Sequence, residues 1–351
     1  MKYLVHAALA SLVLSVSSAA ADTYKATMVA GQAPIFRFVK MLDDPFATTA
    51  KAKIEALGHS ITFTGQYGGS IAGPGEELDA VGAGLGQIGL CTPIFSAAKL
   101  PEQLVGYYAP FVTDDTRLAA DVVHNLYLKN ADMQRALDEN NVVYLGNVVP
   151  IDDYILMTKF PVKSMEDLKG KKIAAPGPSV NWLSGTGAVA VSANLTTYYN
   201  ELSTGVYDGV IVFTSAAMPG KFHEVDPYIT RVKLGAQASV FLCANKDWYN
   251  GLPKDVQDAL HAGGAAAMEW YITELEATVE KAYKVMAENG ATISEASPEL
   301  RQAWVQGMEN HAKNWAKTLD DKGRPGSAVL AAYMDAMRAA GAKPLRNWDQ
   351  E

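Results

Sequence analysis

From Lys254 to Glu288 the chain runs without a proline and is rich in Ala, Glu and Met. As one helix this stretch would be on the order of 50 Å long at about 1.5 Å per residue. Such a length exceeds one small domain and predicts an element that spans two lobes. Gly263-Gly264 is the point at which it would bend.

Ahead of this stretch, strand and helix patterns alternate. Strands are expected at Tyr24–Val29, Ile61–Thr64, Gln87–Cys91 and Asn141–Val149. Between them lie helical spacing over Ile35–Leu57, interrupted around Asp43-Asp44-Pro45, and a short helix over Pro74–Val81. A further helix is capped by Thr113 or Asp115 and carries Leu118, Val122 and Leu126. The second half repeats the style. Strands are expected at Tyr154–Thr158, Lys171–Ala175, Gly209–Phe213, Tyr228–Leu234 and Ala238–Ala244, and helices at Gly185–Ala193 and Tyr198–Thr204. Ser164-Met165-Glu166-Asp167 reads as a capping box. Helices over Pro298–Thr318 and Ser327–Ala340 close the chain. This alternation predicts an α/β fold, with helices on both faces of its sheets.

Composition supports a full core: 49% of the 351 residues are apolar and 19% charged. With 30 basic against 38 acidic side chains the net charge is −8, which argues against a phosphate-binding surface and so against nucleic acid. The absence of basic runs argues against a polybasic membrane patch. Residues 1–21 read as a secretory signal peptide: Lys2 near the start, an apolar middle, and small residues through Ala19-Ala20-Ala21 before Asp22. Cleavage near Ala21 and export to the periplasm are expected.

An exported chain can hold a disulfide. Cys91 and Cys243 nevertheless both sit in apolar runs that read as buried strands, and two free buried thiols are the expectation. No C-x-x-C pair occurs and the histidines do not fall at ligand spacing, so neither a metal site nor a cofactor is expected. Gly84-Leu85-Gly86-Gln87-Ile88-Gly89 has the letters of a dinucleotide fingerprint, but it follows a helix and precedes a strand, the reverse of what the fingerprint requires. It reads as a helix stop and a tight turn. The acidic pairs Asp114-Asp115 and Asp152-Asp153 lack the further oxygen ligands of a calcium loop.

The middle of the chain resembles the extracytoplasmic solute-binding proteins of tripartite ATP-independent periplasmic (TRAP) transporters. The matching residues run from Phe160-Pro161-Val162-Lys163 through Glu166-Asp167-Leu168-Lys169-Gly170-Lys171-Lys172-Ile173, then Tyr199 to Gly209. They continue with Lys221-Phe222-His223-Glu224-Val225, Asn245-Lys246-Asp247-Trp248 and Leu252-Pro253. Tyr67-Gly68-Gly69 and Ala109-Pro110-Phe111 fall in the expected order. The resemblance implies a two-lobed periplasmic binding protein of type II-like architecture, with crossing strands and a long interdomain helix. Lobe I would comprise 22–148 with about 236–253, and lobe II 149–235 with about 290–351, with 254–289 bridging them. It further implies a small-molecule ligand held between the lobes, and delivery to the small and large subunits of a TRAP membrane permease.

Departures from the family pattern bear on the ligand. The arginine usual after the "LKI" letters, which grips a substrate carboxylate through two hydrogen bonds, is Ala174 here. A second family arginine falls on Asp153 or Tyr154, and a usual asparagine on Val212, followed by Phe213. An unpartnered carboxylate is costly to bury. An ordinary C4-dicarboxylate is therefore disfavoured unless Arg37 or Lys99 takes over. An aromatic or apolar-bodied organic acid, or a cationic or zwitterionic solute, fits better. The candidate binding residues are Tyr67, Cys91, Thr92, Asp153, Tyr154, Ala174, Trp182, Leu195, Val212 and Phe213. Asp153 would meet a cation, with Trp182 or Tyr154 stacking on it. Of Tyr198 and Tyr199, adjacent on one helix, only one can face the cleft. Glu76 and Glu77 read as first-turn acids favoured by the helix dipole. A periplasmic enzyme using Glu76 with Asp153 as acid and base, and a receptor serving an ABC permease or a sensor, are the alternatives.

Overall fold

The computed structural model describes residues 22–351; the expected leader lies outside them. Eleven strands form among the described residues: β1 (Thr23–Ala30), β2 (Ser60–Tyr67), β3 (Ile88–Cys91), β4 (Val142–Ile151), β5 (Tyr154–Thr158), β6 (Lys172–Ala175), β7 (Val189–Ser192), β8 (Gly209–Phe213), β9 (Tyr228–Arg231), β10 (Gln237–Asn245) and β11 (Thr292–Glu295). They sort into a five-stranded sheet of order β2-β1-β3-β10-β4 and a six-stranded sheet of order β11-β9-β5-β8-β6-β7. Each sheet is the centre of one lobe.

The apolar runs explain the central strands. β5 and β8 are buried along their whole length, as expected of strands covered on both faces. Both sheets are mixed. β1 pairs in parallel with β2 and β3, while β10 runs antiparallel to both β3 and β4. In the second sheet β5 runs antiparallel to β8 and β9, and β6 pairs in parallel with β7 and β8.

The chain passes between the sheets at Asp152-Asp153, at Val232–Ala236, and through the long helix. That helix spans Lys254–Glu288 without interruption. It packs on β4 and on the helix Thr48–Ala56 at one end, and on Thr214–Ala217 and β11 at the other. The Gly263-Gly264 pair does not break it. A Cβ on Gly264 would collide with the Leu145 carbonyl of β4, and one on Gly263 would meet the Phe46 carbonyl at 2.8 Å. The glycines are there because two backbones touch.

The cysteine expectation is overturned: Cys91 and Cys243 form a disulfide, with Cα atoms 5.9 Å apart. β3 and β10 are antiparallel neighbours, with Cys91 opposite Phe241 and Gly89 opposite Cys243, so the two thiols are diagonal across one strand pair. That adjacency spans 152 residues of sequence and is set by the sheet order.

Two helical expectations also change. Gly185–Ala193 contains strand β7, an exposed edge strand paired with β6; its β-branched Val189 and Val191 suit that position. Pro298–Thr318 divides into helices Pro298–Gly307 and His311–Asp320, the second capped by Asn310, whose side chain accepts the Lys313 N–H. An unanticipated helix, Ala131–Glu139, follows Thr116–Lys129 directly because Asn130 ends one and caps the other. Asp115 and the Ser164–Asp167 box cap as expected.

Helices His311–Asp320 and Gly326–Ala339 pack against Val105–Tyr108 and Thr116–Lys129 beside the first sheet. The buried Glu102 carboxylate takes a two-point grip from Arg324 at 2.6 and 2.9 Å, and the Trp348 indole donates to the Pro110 carbonyl. No described helix is long and apolar enough to cross a membrane.

Replacing both cysteines by serine should lower unfolding stability by about 2–4 kcal/mol, read from urea denaturation; an unchanged midpoint would remove the disulfide from the stability argument. Gly264→Ala should cost about 1–3 kcal/mol through overpacking against a backbone atom that cannot rotate away, measured by the same method.

Candidate functional site

The first lobe brings its strand ends to the gap between the lobes. Gln32 follows β1, Thr92 follows β3, and Ile94 and Phe95 lie in the turn after it. Glu77 opens the helix Glu77–Gly82. The second lobe contributes Asn194, Leu195, Tyr198 and the end of β8 at Ile211, Val212 and Phe213. Ile151 and Tyr154 flank the crossing, and Val240 and Tyr107 complete the cleft. Strand ends gather ligands in α/β folds because loops there are free to vary.

An aromatic cluster builds one wall. Tyr154 meets Phe213 edge-on at 5.6 Å and Trp182 at 5.1 Å, while Tyr107 stacks on Trp182 at 5.8 Å. The Tyr107 and Tyr154 hydroxyls are 3.0 Å apart. Behind them the Trp182 indole donates to the Tyr107 carbonyl, and the Trp304 indole to the Trp182 carbonyl, each at 2.6 Å. Trp182 is thus a buttress, 1% exposed, and not a stacking surface for a solute.

Among the sequence-derived candidates, Thr92, Tyr154, Leu195, Val212 and Phe213 come together in the cleft. Tyr198 faces it and Tyr199 turns outward to donate to Glu224, as adjacency on a helix requires. The others lie elsewhere. Tyr67 donates to Asp43 at 2.7 Å. Cys91 is in the disulfide and Ala174 is buried in β6. Asp153 is half-buried beside the crossing, where it accepts the Gly235 N–H at 2.9 Å. It lines a separate acidic hollow with Asp114 and Tyr283. Burial pushes the Asp153 carboxyl up to about 7, against the pull of the Gly235 N–H. Asp152, buried next to it, takes the Ser215 N–H and hydroxyl and is pushed up to about 6, again by burial. These two carboxylates tie this crossing to the helix Thr214–Ala217 and to the Val232–Ala236 crossing.

The cations considered as replacements are engaged outside the cleft. Arg37 pairs with Glu274 at 2.6 Å beside Trp270, and Lys99 pairs with Asp79. No lysine, arginine or histidine is among the described residues lining the cleft. Sequence reasoning missed Glu77, Gln32 and Asn194. Glu77 read as a helix-dipole acid, but its carboxylate accepts the Gly31 and Gly75 N–H groups at 3.0 and 2.6 Å, and burial pushes it up to about 7. Gln32 was within reach of the general rule that α/β ligand sites gather at strand ends, since it follows β1. Asn194 turns on itself, its side-chain oxygen accepting the Thr196 N–H and hydroxyl.

Two lobes, three crossings and a cleft walled by both lobes define the architecture of a solute-binding protein. The model for bacterial extracellular solute-binding protein family 7 matches residues 39–318, and the chain belongs to that family, whose members are extracytoplasmic solute-binding receptors. It is 28% identical over 155 residues to the C4-dicarboxylate-binding periplasmic protein DctP of Rhodobacter capsulatus, a match over 43% of this chain and 46% of that protein. The chain thus spans about half the length of this relative in the match. Its fold is shared with DctP7 of Bordetella pertussis, an extracytoplasmic solute receptor binding pyroglutamic acid (TM-score 0.76, 21% identity, 88% of this chain and 99% of that one). It is shared equally with a marine metagenome TRAP solute-binding protein specific for aromatic acid ligands, solved with 3-hydroxybenzoate (TM-score 0.77, 20% identity, 90% and 98%).

Trp182→Phe removes the donor from the buried Tyr107 carbonyl. It should cost about 1–3 kcal/mol, seen as a lower denaturation midpoint; no change would show that Tyr107 is held by other contacts.

Proposed function

We propose that this chain is the solute-capturing subunit of a TRAP-type secondary transporter. It takes a small organic solute into the cleft and closes the lobes over it. It then presents the closed form to a membrane permease of small and large subunits. The observation that carries this reading is that the cleft takes its walls from both lobes, so a bound solute bridges them and favours closure. The crossings at Asp152-Asp153 and Val232–Ala236 provide the hinge.

The ligand is an aromatic or apolar-bodied organic acid, or a cationic or zwitterionic solute, and not a C4-dicarboxylate. Phe38, Phe95, Tyr154 and Phe213 offer apolar walls, and a doubly charged anion would find no counter-charge there. The solved relatives named above bind a lactam acid and a phenolic acid, so the scaffold admits ligands other than diacids. An enzyme reading needs an acid and a base facing one substrate. Glu76, which accepts the Gly73 N–H, and Asp153, in its separate hollow, do not face a common point in the cleft.

A thermal-shift screen of the exported chain (from Asp22 on) against aromatic acids, amines, betaines and C4-diacids tests this. A ligand that binds only the folded state at 100 times its Kd should add about 2.7 kcal/mol of stability. One class should raise the melting temperature. A strong response to succinate or malate would overturn the ligand class, and turnover of the hit would overturn the binding-only reading.

A further inference from the structure

The only carboxylate among the described residues lining the cleft, Glu77, has no cationic partner there. It is 2% exposed, and its two oxygens each accept one backbone N–H, from Gly31 and from Gly75. Its own backbone N–H bears on it as well, and a carboxylate has about four lone-pair sites, so accepting capacity remains unused. The loop is shaped to hold it: Gly75 has φ +94°, and a Cβ on Gly31 would strike the Gly73-Pro74 backbone. Next to it in the chain after Gly31 stands Gln32, 9% exposed, whose side-chain oxygen is buried and has no hydrogen-bond partner. Both side chains line the same cleft, together with the apolar Leu195, Val212 and Phe213 of the second lobe.

Two acceptors, one of them anionic, therefore share a cleft whose remaining walls are largely apolar and carry no cation. Burying a charge without a partner is costly, and burying a second charge of the same sign beside it costs more. A ligand that donates and carries the missing positive charge relieves both the carboxylate and the orphan amide oxygen. We propose that the cargo is an organic cation bearing N–H groups — a primary or secondary ammonium, an amidinium or a protonated heterocycle — whose nitrogen binds Glu77 and Gln32 and whose hydrocarbon or ring body lies against Phe213 and Leu195. This rests on the reading of the cleft as the solute site. It replaces Asp153 as the acid that meets the cargo. A quaternary ammonium has no hydrogen to give and should bind less well.

The sign of the pH dependence separates this from an anionic cargo. Burial pushes the Glu77 carboxyl up to about 7. The other titratable groups about it are Glu76 on the same helix and the cleft phenols of Tyr107, Tyr154 and Tyr198, of which burial pushes Tyr154 and Tyr198 further above the usual range. Between pH 6 and 8 Glu77 is the cleft-lining group that changes charge; Asp152 and Asp153, which titrate in the same range, lie outside the cleft at the crossing. A cation requires the carboxylate, so its affinity rises with pH and binding at pH 6 releases a proton. An anion favours the protonated acid, so its affinity falls with pH.

The test is calorimetry and thermal shift on the exported chain. The cationic probes are phenethylamine, tyramine, benzamidine and agmatine, with trimethylphenethylammonium as the quaternary control. The anionic probes are phenylacetate, 3-hydroxybenzoate and pyroglutamate. The strongest response is expected from an N–H cation, about tenfold weaker or worse in Glu77→Gln, with affinity rising from pH 6 to pH 8. Gln32→Met keeps both backbone bonds to Glu77 and should weaken the same probe several-fold, so the test stands even if Glu77→Gln folds poorly. A carboxylate as the strongest responder, unchanged by Gln32→Met and with affinity falling as pH rises, overturns the inference and leaves the solute-capture reading standing. No response from any probe in either set overturns both.

Discussion

The backbone of the long helix lies directly on strand β4, with no side chain between Gly264 and the Leu145 carbonyl. This contact fixes one end of the helix in the first lobe. Its other end runs past Thr214, whose hydroxyl donates to Tyr283 at 2.8 Å, and on to β11 in the second sheet. A rod anchored by backbone contact at one end and by side-chain contact at the other can act as a brace and still allow one lobe to turn. The cleft lies between the two sheets that this rod spans, so its width follows from how the second lobe sits on the helix.

The cleft itself is supported from behind. Tyr107 and Tyr154 face the cleft, Trp182 backs them, and Trp304 holds the Trp182 carbonyl from the helix Pro298–Gly307. Each indole has one polar atom, and each is spent on a buried carbonyl, which leaves no orphan in this layer. Unused accepting capacity lies instead at Glu77 and Gln32, which line the same cleft. A cleft that combines apolar walls with a few accepting groups orients a solute as well as holding it.

Much of this was legible in the chain. Proline-free length announced the long helix at its observed bounds, and continuous apolar runs announced β5 and β8. Val212 and Phe213 emerged from family departures, and with the candidates Thr92 and Leu195 they line the cleft. Trp182 and Asp153 were misread for one reason. An aromatic ring or an acid near a predicted strand end has no direction until its neighbours are placed, and here Tyr107 covers one and Gly235 binds the other. Gly185–Ala193 failed because a four-residue edge strand has too few residues to show a period against helical spacing.

Local pattern was enough to decide most of the element order and the absence of an arginine after Ile173, because each depends on residues near one another in sequence. The disulfide, the burial of Glu77 and the partnerless oxygen of Gln32 were decided by tertiary structure alone. Cys91 meets Cys243 only because β10 returns from the second lobe to lie antiparallel beside β3. Glu77 meets Gly31 only because β1 and the helix that Glu77 opens arrive at the same edge of one sheet. Such encounters depend on which strands become neighbours, and that is settled by the packing of the whole chain.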